Sequence, residues 1–349
     1  MIATNFTNKL ISWYCENKRD FPWRNSTNAY QIWLSEIILQ QTKTAQGLPY
    51  YMKFTEHFKT INDLAIAEEQ EVLKLWQGLG YYSRAKNLHF SAKYIVNELK
   101  GVFPSTYKDL LKLKGVGDYT ASAIASICFD ENCAVVDGNV YRVLSRYFGI
   151  ELPINSSQGI KEFKKLAQSL LPKKEFGLYN QAIMDFGATI CTPKKTMCTD
   201  CFLNDSCFAL QQNKVALLPI KTTKTKIKKR FFNYLVILSP PQKISIIQRT
   251  RKDIWQHLYE FPLIESDHAL TKSELIETTF FKKWSKKYSS VTLFNEKPII
   301  HKLSHQHIST NFWVVNHLEE ITNSIDLSKL KDYPVPVLIA NFINEKFVY

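Results

Sequence analysis

Leu111-Lys112-Leu113-Lys114-Gly115-Val116-Gly117-Asp118-Tyr119-Thr120-Ala121 places a Gly-Val-Gly turn between two helical stretches. Glycine accepts backbone angles closed to other residues and lets a partner come close. The amides that open the following helix point outward as donors, ready for an anion. Gly115 and Gly117 in this setting form the helix-hairpin-helix pattern of sequence-independent DNA binding. A plain helix–helix turn, which needs only one glycine, is the competing reading.

Upstream, the run from Ile32 to Thr42 reads Ile-Trp-Leu-Ser-Glu-Ile-Ile-Leu-Gln-Gln-Thr, an apolar helical stretch with a single acid, Glu36. A carboxyl among apolar side chains has a raised pKa, which suits a general acid near neutrality. The bland alternative puts Glu36 on the wet face of an amphipathic helix. Arg24 follows Pro22 and Trp23 and either sits by a phosphate or lies on the open surface. Tyr81 belongs to a glycine-punctuated turn, Gln77-Gly78-Leu79-Gly80-Tyr81-Tyr82-Ser83-Arg84. A tyrosine there can wedge into a base stack or simply pack two helices together.

Downstream, Ala134-Val135-Val136-Asp137-Gly138-Asn139-Val140 ends an apolar run and leads into a helix expected from Val140. Asp137 reads as its N-cap, and the helix dipole favours the ionised carboxylate. One acid in apolar surroundings beside one held ionised is the division of labour of glycoside hydrolysis. A further helix over 179–187 carries Gln181 and Asp185. Then come Cys191, Cys198, Cys201 and Cys207, with six, two and five residues between them. Four thiolates so close suit zinc or an iron–sulfur cluster, and spacing alone does not choose. Cys15, Cys128 and Cys133 read as buried thiols.

The totals frame these motifs. A chain of 349 residues has room for two domains. Forty-five basic against 32 acidic residues leave a formal charge of +13, which favours a polyanionic partner, nucleic acid before an acidic membrane surface. The lack of any apolar run of 18 residues argues against a membrane-spanning helix. The N-terminus lacks a signal-peptide layout, so the expected setting is intracellular, with reduced or metal-bound cysteines. Six basic residues in ten, over 221–230, read as a linker lying along a DNA backbone or as a solvated tether. Beyond it, β-rich runs at 231–239, 244–248, 291–294, 299–302 and 308–315, with a helix near 272–279, predict a separate α+β domain.

Taken together, these residues resemble the MutY family of adenine DNA glycosylases, in the helix-hairpin-helix base-excision superfamily. The likeness covers nearly the whole chain. It is most specific in Pro22-Trp23-Arg24, Ser35-Glu36, Leu39-Gln40-Gln41-Thr42, the 78–84 and 115–121 turns, Val136-Asp137-Gly138-Asn139-Val140 and the four cysteines. The resemblance implies a multidomain chain. Its first part, 1–212, would be an all-α helix-hairpin-helix glycosylase domain with a [4Fe-4S] cluster on the 191–207 loop. A basic linker (213–230) and an α+β Nudix-like domain (231–349) would complete it.

The resemblance further implies excision of adenine mispaired with 8-oxoguanine or guanine, which prevents G:C to T:A transversions. Glu36 would protonate the flipped adenine, Asp137 would stabilise the sugar cation, and Tyr119 and Asn139 would position the two acids. Gln181 would contact the adenine edge, and Gln41 and Tyr81 would fill and wedge the stack around 8-oxoguanine. Tyr119 stands where endonuclease III-like enzymes carry a nucleophilic lysine, so no Schiff base forms by that route and the activity would be monofunctional.

In the second domain, Asp253-Ile254-Trp255-Gln256-His257-Leu258-Tyr259-Glu260-Phe261-Pro262 resembles a Nudix remnant, but no Arg-Glu-x-x-Glu-Glu run comes after it to bind Mg²⁺. Lesion recognition without hydrolysis is therefore expected, with Ser304 and His305 reading 8-oxoguanine and Leu303 in place of the usual aromatic. The implied partner is duplex DNA, bound by a cytoplasmic, nucleoid-associated monomer with no membrane contact. A DNA-binding protein without catalysis and a zinc-stapled protein are the competing classes.

Overall fold

A computed structural model of the chain describes residues 2–222, 227–284 and 287–347. It divides into two compact units, Met1–Ile66 with Asn87–Thr223, and Ala67–Lys86 with Lys224–Tyr349. Residues 223–226 of the basic run lie outside the described residues.

The first unit is helical. Its core is organised around the helix Phe176–Thr189, whose Tyr179, Ala182, Ile183 and Phe186 are all buried. Against it pack the helices Ile2–Asn17, Asp118–Phe129 and Gly138–Phe148. Close approach is set by Gly187, where an added Cβ would lie 2.6 Å from the Cβ of Asn139. Among the polar residues of this central helix, Asn180 has a holding role. Its Nδ2 donates to Ser126 Oγ and Cys133 O, both at 2.8 Å, and its Oδ1 accepts from Val135 N at 3.2 Å. The segment leading to Asp137 is thereby fixed to the core.

The Glu36 helix spans Ala29–Leu39 and begins at Asn28, whose side chain accepts from Gln31 N at 3.1 Å. It is shorter than the apolar run suggests. Gln40 leaves the helix with ψ 116°, and Gln41 sits at φ +54°, so residues 40–42 form a turn. Conversely, the helix after Asp137 starts at Gly138, two residues before the expected Val140. The hairpin runs from the short helix Tyr107–Leu110 through Gly115 to Asp118–Phe129. Gly115 sits at φ +85°, and a Cβ there would lie 2.7 Å from Asn87 Cβ. Gly117 has φ −100° and open space around it. Conformation thus demands glycine at the first position and leaves the second free for an incoming group.

The second unit carries nine strands among its described residues: β1 (Lys228–Ser239), β2 (Lys243–Ser245), β3 (Ile247–Gln248), β4 (Tyr259–Glu260), β5 (Leu263–Ser266), β6 (Tyr288–Leu293), β7 (Ile299–Lys302), β8 (Gln306–His317) and β9 (Ser324–Asp326). The main sheet is mixed. β1 pairs parallel with β8 from Lys228↔Gln306 to Leu238↔Asn316, and antiparallel with β2 across the Pro240-Pro241 turn. Because β1 begins at Lys228, the last three residues of the basic run are strand, and Arg230 is buried. One sheet face is covered by the C-terminal helix Val337–Lys346, with Phe342 stacked on Phe312 at 4.2 Å. The opposite face packs Leu235, Ile237, Trp313 and Val315 on Leu275 and Phe281. This is the α+β arrangement the sequence predicts, with an additional closing helix at 337–346.

The two hairpin glycines separate experimentally. Gly115→Ala should cost about 1–3 kcal/mol in chemical denaturation, from forced positive φ and the clash with Asn87. Gly117→Ala should change stability by less than about 1 kcal/mol while weakening duplex binding in a filter or anisotropy titration. Unchanged stability for the first, or unchanged binding for the second, contradicts these roles.

Candidate active site

A cleft of about 190 Å³ in the helical unit is bordered by Arg19, Arg24, Glu36, Tyr119, Asp137, Asn139 and Gln181, together with Met184. Five elements converge here: the Pro22–Asn25 turn, the Ala29–Leu39 helix, the helix Asp118–Phe129, the cap of Gly138–Phe148 and the central helix Phe176–Thr189.

Glu36, the one charged residue of its helix, borders this cleft. Burial is the main influence on its carboxyl and pushes its pKa up to about 7. The Tyr119 hydroxyl hydrogen-bonds Glu36 and the nearby Arg24 charge favours ionisation, whereas Asp137 adds a further upward push. The Tyr119 hydroxyl also lies 3.2 Å from Met184 Sδ, and burial holds its proton well beyond the ordinary phenol range.

Asp137 caps its helix as the sequence suggests. Oδ1 accepts from the backbone amides of Asn139 and Val140, both at 2.8 Å, and Oδ2 from Asn139 Nδ2 at 2.7 Å. Here burial outweighs the cap, so the pKa of Asp137 moves up from the ordinary carboxylate value, while the three donors and Arg142 pull it back toward ionisation. Burial thus pushes both carboxyls upward, and they differ in their partners: Asp137 is held by three N–H donors, whereas Glu36 is hydrogen-bonded by Tyr119.

Several contacts around these acids escape a reading of the sequence. Arg142, buried, donates to Asn139 Oδ1 at 2.8 Å, to Gly138 O at 3.1 Å, to Cys191 O at 2.6 Å and to Gly187 O. It thus fixes the amide that holds Asp137 and ties it to the start of the cysteine loop. The Tyr14 hydroxyl donates to Gln181 Oε1 at 2.9 Å, which holds the amide oxygen of this cleft-bordering residue. Asp185, fully buried, accepts from Arg19 Nη2 at 2.6 Å and Arg24 Nη2 at 2.7 Å. The available signal is the spacing in the central helix: Gln181 and Asp185 are four apart on one face of an apolar stretch, with Asn180 turned away into the core. Arg24 does not lie on the open surface, one of its two expected forms; it is a pocket-wall residue held by Asp185.

Cys191, Cys198, Cys201 and Cys207 all border one apolar-lined cavity of about 40 Å³. Arg146 Nη1 donates to Cys191 Sγ at 3.4 Å and to Thr192 O at 2.8 Å. Burial lifts the Cys191, Cys201 and Cys207 thiols, Cys201 to about 11. The four cysteines thus line one cavity, although among the described residues no group of three or more histidine, cysteine or acidic side chains is placed to hold a metal ion. Cys128 and Cys133 are half-buried, but Cys15 is exposed, contrary to the expectation from its helical surroundings, because it lies on the outer face of Ile2–Asn17.

The remaining candidates are distributed between the units. Gln41 is exposed in the turn at 40–42, where its neighbour Gln40 donates to Thr120 Oγ1 at 3.1 Å. In the second unit a cleft of about 400 Å³ is bordered by Tyr81, Trp255, Leu303, Ser304 and His305. Tyr81 there is 45% exposed at φ +49°, and Ser304 Oγ lies 3.3 Å from His305 Nδ1. Asp253 also borders this cleft, and it, Glu260 and Glu265 are tied to arginines. Arg230 holds Asp253 at 2.8 Å and Glu265 at 2.6 Å, and Arg249 holds Asp253 at 2.6 Å and Glu260 at 2.8 Å.

Known proteins show the same division. Residues 34–172 match the family model described as HhH-GPD superfamily base excision DNA repair protein, and residues 233–345 match a NUDIX domain. A solved structure of a thermostable thymine-DNA glycosylase superposes with TM-score 0.56 at 31% identity, covering 60% of this chain and 97% of that one. An endonuclease III–DNA complex, at 20% identity and TM-score 0.53, shares the helical fold over 60% of this chain and 95% of its own. The class is therefore a helix-hairpin-helix base-excision protein with a Nudix-type second domain. Adenine DNA glycosylase of Buchnera aphidicola subsp. Acyrthosiphon pisum is 34% identical over 86% of this chain and 83% of its own, and that of Homo sapiens 43% identical over 60% and 40%. The chain belongs to the adenine DNA glycosylase family.

Two outcomes are expected for the cleft. If Glu36 delivers a proton, single-turnover base release should be sustained below about pH 7 and decline as pH rises through that value. A profile flat to pH 9 contradicts this. Arg142→Met should slow release roughly tenfold or more by freeing the Asn139 amide; a variant that is fully active across the pH range removes Arg142 from the site.

Proposed function

We propose that this chain hydrolyses the N-glycosidic bond of adenine mispaired with 8-oxoguanine, and more weakly with guanine, in duplex DNA. The observation that carries this reading is the pair Glu36 and Asp137 in one cleft, the first with its pKa pushed up to about 7 and the second held by three donors. A base inside a helix cannot reach such a cleft, so the adenine must be flipped out of the stack. The hairpin at Gly115 and Gly117 grips the backbone while this happens.

Glu36 in its protonated form donates to N7 of the flipped adenine, which makes the base a neutral leaving group. Gln181 and Arg24 present N–H donors to the ring edge. As the glycosidic bond lengthens, positive charge develops on the sugar, and Asp137, fixed by Asn139 and its own helix, stabilises it. Glu36, now ionised, accepts a proton from the water that completes the hydrolysis. Tyr119 orients Glu36 and provides no amine, so the strand is left uncut.

Cys191, Cys198, Cys201 and Cys207 would hold a [4Fe-4S] cluster, which supplies a covalent staple for the loop against which Arg142 and Arg146 rest. In the second unit, Ser304 and His305 would read the opposite 8-oxoguanine, which differs from guanine by an N7–H donor and a C8 carbonyl. Tyr81 and Gln41 would occupy the stack beside it. Asp253, Glu260 and Glu265 are engaged by Arg230 and Arg249, which supports recognition without Mg²⁺-dependent hydrolysis. The enzyme would work as a monomer on the DNA of a bacterial-type cytoplasm.

The deciding assay presents duplexes with A opposite 8-oxoguanine, A opposite guanine, and an oxidised pyrimidine. Adenine release in the order 8-oxoguanine over guanine is expected, with no borohydride-trapped covalent complex. Glu36→Gln should slow release by at least roughly a hundredfold. Preferential release of the pyrimidine, or an active Glu36→Gln enzyme, overturns the proposal.

A further inference from the structure

One wall of the catalytic cleft is electrostatically unusual. Asp185 is fully buried, and its Oδ1 accepts from two guanidiniums, Arg19 Nη2 at 2.6 Å and Arg24 Nη2 at 2.7 Å, while Oδ2 accepts from Arg19 N at 3.3 Å. Two positive charges thus share one negative charge. The wall is net positive, and both arginines border the same cleft as Glu36. The Nε atoms of Arg19 and Arg24 are buried without a hydrogen-bond partner. Buried donors of this kind ordinarily find an acceptor, so Asp185 satisfies the pair only in part, and both side chains border the cleft.

We propose that Asp185 is a positioning residue of the base pocket, which fixes Arg24 beside Glu36 and screens Glu36 from the charge of the arginine pair. The proposal rests on the reading of Glu36 as the proton donor and adds what keeps that proton in place. Unscreened, two guanidiniums would favour the ionised carboxylate and remove the donor at neutral pH. Without them, the cleft would lose the N–H groups that face the base. One acid between two bases is the compromise.

The groups that act on Glu36 come from every element around it. Arg24 lies on the turn before its helix, Tyr119 and Cys128 are on Asp118–Phe129, and Asp137 caps the next helix. Asp185, on the central helix, has its effect through Arg19 and Arg24. Of these, Arg24 pulls toward ionisation and Asp137 pushes toward the protonated form.

The test is the pH dependence of single-turnover adenine release by the full-length, cluster-loaded protein and two variants. Asp185→Asn removes the screen, so the alkaline limb should move to lower pH by roughly half a unit or more. Arg19→Gln removes one positive charge and leaves Asp185 to Arg24, so the limb should move to higher pH. A purely structural loss would lower the rate at all pH values and leave both limbs where they were. Opposed shifts support the proposal; unmoved limbs, or shifts in the same direction, overturn it. Should Asp185→Asn fail to fold, Arg19→Gln decides alone, because Arg19 is a third exposed and lies at the rim: an unmoved or lowered limb overturns the proposal. If the wild-type protein releases no adenine, the functional reading itself fails, and the two failures are told apart by that control.

Discussion

A carboxyl group cannot be carried into an apolar helix without a compensating arrangement, and Glu36 is such a group. An ionised carboxylate left alone in low dielectric is costly, and the usual outcomes are a tight ion pair or a captured proton. The cleft adopts an intermediate solution. Arg24 is near enough to attract the charge but is itself bound to Asp185, and Tyr119 supplies a hydrogen bond without supplying charge. The result is a group poised close to neutrality rather than locked in either form. Most of the surrounding architecture can be read as support for that balance.

The central helix Phe176–Thr189 is where the support converges. Asn180 secures the approach to Asp137, Gln181 borders the cleft with its amide oxygen held by Tyr14, and Asp185 gathers the two arginines. Gly187 lets the Asn139 backbone come close, and Gly187 O and Asn139 Oδ1 both receive hydrogen bonds from Arg142. Arg142 also reaches Cys191 O. The cysteine loop and the second carboxylate are thus joined by one side chain, which gives a loop far from the base a mechanical stake in the geometry of Asp137. In the second unit a comparable economy holds. Carboxylates of the Nudix-like segment are satisfied by Arg230 and Arg249, so the loop carrying Trp255 is anchored by internal cations.

The features legible in the sequence are local ones. Glu36 stands out as the lone acid in an apolar run, Asp137 as the cap of the next helix, and the hairpin through its paired glycines. The α+β character of the second unit is visible in alternating β-rich segments. Pairings across long separations are not visible. Asp185 is 161 residues from Arg24 and 166 from Arg19, and Tyr14 is 167 from Gln181. Nothing in the local pattern of Arg142 distinguishes it from a surface helix arginine. The parallel pairing of β1 with β8 likewise depends on strands far apart in the chain. Boundaries differ where turn geometry overrides hydrophobicity, as at Gln40 and Gln41, and where a basic stretch enters a strand at Lys228. Cys15 is exposed rather than buried because a helical setting says nothing about which face a thiol occupies.

The central claim concerns a proton, and it can be observed without turnover. Protein labelled with ¹³C at the glutamate carboxyl, with the Glu36 resonance assigned by its loss in Glu36→Gln, can be titrated by NMR in the absence of DNA. A midpoint near 7 is the result this account predicts. A midpoint in the ordinary carboxylate range, near 4.5, would contradict it.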